Sequence, residues 1–139
     1  MRATAMNFKA AIIAACLALA TPAAAQSRGE VITPDFEQAI PNIPSKSLVA
    51  VVVHYAPGGA SHSHTHAKSA FVYADVIAGV VESQVNDGPK RVYHAGESFY
   101  ELPGAHHAVS RNASATEPAK LLAVFVVDTD DKALTTPDK

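Results

Sequence analysis

Beyond residue 46 the sequence is a succession of short, Val-rich runs, each closed within a few residues by Gly, Pro or Asn. Ser47 to Tyr55 is followed by Pro57-Gly58-Gly59, Phe71 to Ile77 by Gly79, and Val80 to Val85 by Asn86-Asp87-Gly88-Pro89. Lys90 to His94 ends near Gly96, Glu97 to Glu101 ends at Pro103-Gly104, and His107 to Arg111 and Ala119 to Asp128 complete the series. No segment in this stretch repeats its apolar residues at the helical period, whereas β-branched runs bounded by turn residues read as strands. Strands this short and this evenly spaced predict an all-β sandwich or barrel. The length of 139 residues suits one domain. Trp is absent, so Phe, Tyr, Leu and Val must fill the core. Ala119 to Asp128 is the most apolar run and is expected to lie centrally.

The flanks differ from this pattern. Residues 26–46 carry Pro34, Pro41 and Pro44 and predict an extended N-terminal arm with turns. Residues 129–139 form a polar C-terminal tail, which leaves 47–128 as the barrel. Residues 1–25 have Arg2 and Lys9 at the start, an apolar run from Ala10 to Ala20, and Ala23-Ala24-Ala25 at the exit. Those are the parts of a cleaved secretory signal peptide. The run is too short for a membrane-spanning helix, which needs about 20 apolar residues. The expectation is export to the periplasm or the medium, with lipid attachment at Cys16 as the alternative.

Cleavage before Gln26 removes Arg2 and Lys9 from the 11 basic residues, leaving 9 against 13 acidic ones and a net charge of −4 with His neutral. That balance, without a basic patch, argues against a nucleic-acid partner. Cys16 is the only cysteine and leaves with the leader. A mature chain without thiols excludes disulfides, cysteine nucleophiles and Cys-ligated zinc.

The candidate chemistry lies in the histidines. Ser61-His62-Ser63-His64-Thr65-His66 places three imidazoles at every second position, so on a strand all three share a face. Imidazole is the commonest protein ligand for metals near neutral pH. A further ligand is expected from Ala105-His106-His107, where strand alternation lets only one of the two histidines point inward. His54 and His94 carry less weight, and Asn112-Ala113-Ser114 matches a glycosylation sequon of the kind common by chance.

The spacing of these residues resembles the cupin family. That family's first motif sets Gly ahead of His-x-His, then Glu, then Gly, and the chain follows with Gly58 or Gly59, His64-x-His66 and Gly79. The second motif sets Gly ahead of Pro-x-Gly and then His, and the chain follows with Gly96, Leu102-Pro103-Gly104 and His107. The resemblance covers about Leu48 to Asp128. It implies a single-domain cupin-like jelly-roll β-barrel, also called a double-stranded β-helix, with His64, His66 and His107 as ligands of one divalent metal ion. Three departures stand out. The motif's Glu falls at Ala70 or Phe71, Leu102 stands where Pro is usual, and Asn112 comes one position late. His62, Asp75 and Glu101 are the residues that could replace the missing acid, and an exposed strand end is the competing expectation for Glu101.

Imidazole suits iron, manganese, nickel, copper and zinc alike, so the metal's identity stays open. Three neutral imidazoles leave the full charge on the ion, which favours an anionic or enol-type small molecule beside it. The resemblance therefore implies a small-molecule oxygenase or another metal-dependent enzyme, or alternatively a non-catalytic ligand-binding or sensor domain. An enzyme would need an acid or base near the ion. Tyr73, Tyr100 and Glu101 are the catalytic candidates, with Asp75 and Gln84 as further residues that could line the barrel. Metal affinity should fall as pH drops through about 6.5, where protons compete for imidazole. Cupins often pair, so a homodimer that exchanges the N-terminal arm is a further expectation.

Overall fold

The computed structural model describes residues 28–139, so the expected leader, with Cys16, lies outside the described residues. Ten strands follow in order: β1 Arg28–Ala39, β2 Lys46–Ala60, β3 His64–His66, β4 Phe71–Ala78, β5 Val80–Val85, β6 Arg91–His94, β7 Ser98–Glu101, β8 His106–Asn112, β9 Ala119–Asp128 and β10 Thr135–Pro137. Among the described residues no helix is long and apolar enough to cross a membrane.

One run of pairings places β1, β2, β9, β4 and β7 side by side, and another places β10, β3, β8, β5 and β6 side by side. The two join where Ala60, at the end of β2, pairs with Arg111 of β8. The sheet thus folds over itself into a nearly closed jelly-roll barrel. As expected, Ala119–Asp128 is central: β9 lies between β2 and β4 and alternates buried and accessible residues along its length. Leu121, Ala123, Phe125 and Val127 point inward from it. Val72, Ala74 and Val76 do the same from β4. The core has two parts, one around Val53, Tyr55, Val76, Val81 and Leu121, the other around Val72, Phe125 and Val127. Val51 packs against both.

Two flanking segments take part in the sheet. Within the N-terminal arm, β1 pairs antiparallel with β2 of the same chain from Glu30↔Tyr55 to Ala39↔Ser47. Pro34 is tolerated because β1 is an edge strand, where a missing N–H need not break a ladder, and the register shifts between Pro34 and Phe36. The polar tail also carries structure. Its β10 pairs with β3, with Thr136 opposite Thr65. Strand β2 itself runs on through Pro57-Gly58-Gly59, where a turn was expected. Between Arg28 and Glu30 of β1 the partner jumps from Ala60 to Tyr55, so Ala56 to Gly59 bulge out of that ladder. Gly79 does what its place between two strands requires. It sits at φ +75° between β4 and β5, and a Cβ there would lie 2.5 Å from the Pro118 carbonyl oxygen, so both conformation and space demand glycine.

Candidate metal centre

Register brings the histidines together. β3 pairs with β8 so that His64 faces His107 directly. Cross-strand partners carry their side chains on one side of the sheet, and the imidazole centroids of His64 and His107 lie 5.3 Å apart. His66 is two residues on from His64, on the same face, at 4.9 Å centroid to centroid. One nitrogen from each of the three rings can be chosen so that all lie within 4.8 Å of one another. His66 and His107 are buried and His64 is half-buried. Of the adjacent pair on β8, His107 therefore points inward, and His106 turns to the surface, where its Nε2 lies 2.8 Å from the Asp138 carboxylate.

The rings are held by the chain around them. His64 Nδ1–H donates to the carbonyl of His62 at 2.7 Å, which leaves its Nε2 free. Burial lowers the pKa of His64, so the ring is held neutral, the form that binds metal. His107 Nε2 lies 2.8 Å from the hydroxyl of buried Ser83 on β5. Such outer partners orient a ligand ring and set which nitrogen it offers.

Glu101 completes the cluster. It ends β7 opposite Val72, so alternation turns it inward with Val72, and it is 2% exposed. The exposed strand-end acid is thereby corrected. Its Oε1 lies 3.2 Å from His107 Nδ1 and its Oε2 lies 3.1 Å from His66 Nε2. Burial alone would push the carboxyl up, but the contacts with His107 and His66 outweigh it and hold the pKa at about 2. The carboxylate is therefore charged in the barrel interior. Even so, Glu101 Oε2 and His66 Nδ1 and Nε2 are buried among the described residues without a hydrogen-bond partner. The Oε2 to Nε2 contact is close but not aligned for donation. Unpaired buried polar atoms cost about 1–3 kcal/mol each, and more when charged. The three imidazoles could hold a metal ion, and the Glu101 carboxylate touches two of them.

The other candidates lie elsewhere. Alternation that turns Val72, Ala74 and Val76 inward turns Tyr73 and Asp75 outward. Tyr73 is 44% exposed and its cross-strand partner Tyr100 is 63% exposed, so the expectation that these tyrosines line the barrel is corrected. Tyr100 stacks on Phe71 at the surface. Gln84 caps the turn after β5 by donating to the Gly88 carbonyl. His62 is exposed and stands outside the three-ring cluster, although it borders the mouth of the adjoining cavity. Asn112 is buried and ties down the β8–β9 connection, donating to the carbonyls of Ala56 and Glu117 and accepting from Ser114 N–H. The cavity beside the histidines measures about 300 Å³, and its walls are largely apolar, with Val53, Val72, Leu121 and Phe125 among them. Leu134, Thr135 and Pro137 of the tail close part of it.

The family model for the cupin domain matches residues 51–125, more than half of the chain. The chain belongs to the cupin family. No curated protein sequence matches this cupin. Among solved structures it resembles an uncharacterized conserved protein with a double-stranded β-helix domain from Klebsiella pneumoniae, at 22% identity and TM-score 0.62 over 79% of this chain and 84% of that one. It also resembles the cupin domain of an XRE family transcriptional regulator from Enterobacter cloacae, at 23% identity and TM-score 0.57 over 70% and 95%. A recombinant oxalate oxidase in complex with glycolate matches at 23% identity and TM-score 0.57, over 78% of this cupin and 53% of that chain. Identities this low carry the fold alone.

Proposed function

We propose that this cupin is an exported protein that holds one divalent metal ion on His64, His66, His107 and Glu101 and takes an anionic or enol-type small molecule into the adjoining cavity. The observation that carries the reading is the orphaned pair of His66 Nε2 and Glu101 Oε2, buried inside a ring of imidazoles. A cation would satisfy both atoms at once. With Glu101 as a ligand, the net charge at the site becomes +1 rather than the +2 expected for three histidines alone, which still favours an anion. A bound ion would supply Lewis-acid chemistry, and iron or copper would add redox chemistry of the oxygenase kind. The chain's own part is to exclude water with its apolar walls and to hold the His107 ring through Ser83. Oxalate oxidase, one of the similar folds, supports a small carboxylate as the kind of ligand. Export rests on the Arg2, Lys9 and Ala10 to Ala25 pattern, and N-terminal sequencing of the native protein should begin at Gln26.

The test is elemental analysis of untagged protein beside a His107→Ala variant. The expected result is about one equivalent of a divalent metal in the parent and its loss in the variant. Tight stoichiometric metal retained by the variant would sink the assignment. A second reading, ligand binding without turnover, is favoured by one observation: two of the three catalytic candidates, Tyr73 and Tyr100, face away from the cavity. The XRE family regulator domain among the similar folds agrees with it.

A further inference from the structure

A second polar group lines the same cavity, made of Glu30 on β1, Tyr55 and Ser61 at and just beyond the far part of β2, and Ser110 on β8. Tyr55 is 2% exposed, and its hydroxyl lies 2.6 Å from Ser61 Oγ and 2.8 Å from Ser110 Oγ. Ser61 Oγ donates in turn to Glu30 Oε1. The four side chains therefore form one hydrogen-bonded row, Ser110–Tyr55–Ser61–Glu30.

The direction of that row follows from counting protons. A carboxylate only accepts, and each hydroxyl has one proton to give. The Ser61 proton goes to Glu30, so Ser61 must accept from Tyr55. The Tyr55 proton is then committed, so Tyr55 must accept from Ser110. Burial pushes the Tyr55 phenol up to about 12, so its proton is present throughout the neutral range. The Ser110 proton is also committed, and what its oxygen has left for the cavity is lone pairs. One carboxylate at the end of the row thus sets the polarity of a side chain three links away.

We propose that Ser110, polarised through Tyr55 and Ser61 by Glu30, is a ligand subsite that accepts a hydrogen bond. The cavity then selects small anions that also carry an O–H or N–H donor over the same molecules with the donor capped. The anion end rests on the metal reading above, whereas the donor end rests on the row alone. A cavity of about 300 Å³ is at the small end of ligand pockets, which suits a single-ring hydroxy acid.

The test is calorimetric titration of the purified protein, zinc-loaded and metal-free, with 3- and 4-hydroxybenzoate and with the matching methoxybenzoates. At least one hydroxy acid should bind about tenfold or more tightly than its methyl ether, since capping leaves a buried acceptor unpaired. Ser110→Ala should bring that ratio to near unity. Glu30→Gln should also lower it with Ser110 intact, because an amide can donate to Ser61 and the row is no longer forced to run one way. A parent ratio near unity, a ratio unchanged in both variants, or no binding of any of the four compounds would overturn the subsite. Zinc separates the two ideas. If zinc strengthens all four compounds equally and no donor preference exists, the metal reading stands and the subsite falls. If the donor preference persists but zinc changes nothing, the subsite stands and the metal reading falls.

Discussion

The two inner faces of the barrel are built from different chemistry. β2, β9 and β4 turn in Val53, Leu121, Ala123, Phe125, Val72, Ala74 and Val76, with Tyr55 and Ser47 as polar exceptions. β3, β8 and β5 turn in His66, His107, Ser110, Asn112 and Ser83, with Val81 as the apolar exception. The first face supplies apolar burial, worth about 25 cal/mol for each Å² removed from water. The second would cost stability unless each polar group found a partner, and most do: Ser83 holds His107, Ser110 holds Tyr55, and Asn112 holds three backbone groups. The group left without is His66, which faces Glu101 across the barrel interior. One half of this barrel keeps it folded, and the other half can be spent on a site.

That contrast can be broken most severely on the apolar face. Phe125→Ala should destabilise the protein by about 3–5 kcal/mol, the usual cost of truncating a buried Phe, read by denaturant unfolding. A loss under 1 kcal/mol would mean that the apolar face is not what holds the fold. Next in size is Glu101→Gln, the one ionised side chain that the β4–β7 edge sends towards the histidines. Metal affinity should fall at least tenfold by competition with a chelator, while the metal-free protein should lose part of its acid sensitivity. The depressed pKa of Glu101 contributes stability that is fully present above its ordinary value of 4.5 and is lost as pH falls towards about 2. Equal acid unfolding curves for parent and variant, both metal-free, would contradict that assignment.

Ser83→Ala sharpens the comparison from the polar face. Metal affinity should drop about tenfold through the freed His107 ring, with a stability loss near the 1 kcal/mol of one hydrogen bond. A large stability loss with unchanged metal binding would make Ser83 a packing residue. The smallest effect in neutral solution concerns Tyr55. Its pKa is raised from 10 to about 12 by burial, so its contribution is fully present below pH 10 and is lost as pH rises through about 12. Phenolate absorbance that develops together with unfolding in that window would agree; Tyr55 ionising at pH 10 in folded protein would not.

Much of the fold was legible in advance because strand signals are local. Runs such as Phe71 to Ile77 and Ala119 to Asp128, and the turn at Asn86-Asp87-Gly88-Pro89, fall where composition and punctuation put them. The arm and the tail were less legible. Arg28–Ala39 and Thr135–Pro137 carry Pro and polar residues because each sits at an edge, where pairing is one-sided and side chains stay exposed. The histidines stood out by their spacing. Glu101 did not, since an acid before a Pro-Gly turn ordinarily reads as a surface residue. The alternation Ser98-Phe99-Tyr100-Glu101 left its face undecided until pairing with Val72 set it.

The sequence by itself determined an all-β chain with His-x-His and a later His at cupin spacing, because alternation, turn chemistry and residue spacing act over a few neighbours. Only the tertiary structure decided which side of each strand is inside. It turned Glu101 in and Tyr73 and Tyr100 out, and it linked Glu30 to Ser110 across strands far apart in the chain. The physical reason is that a strand's two faces are equivalent until a partner strand fixes the register.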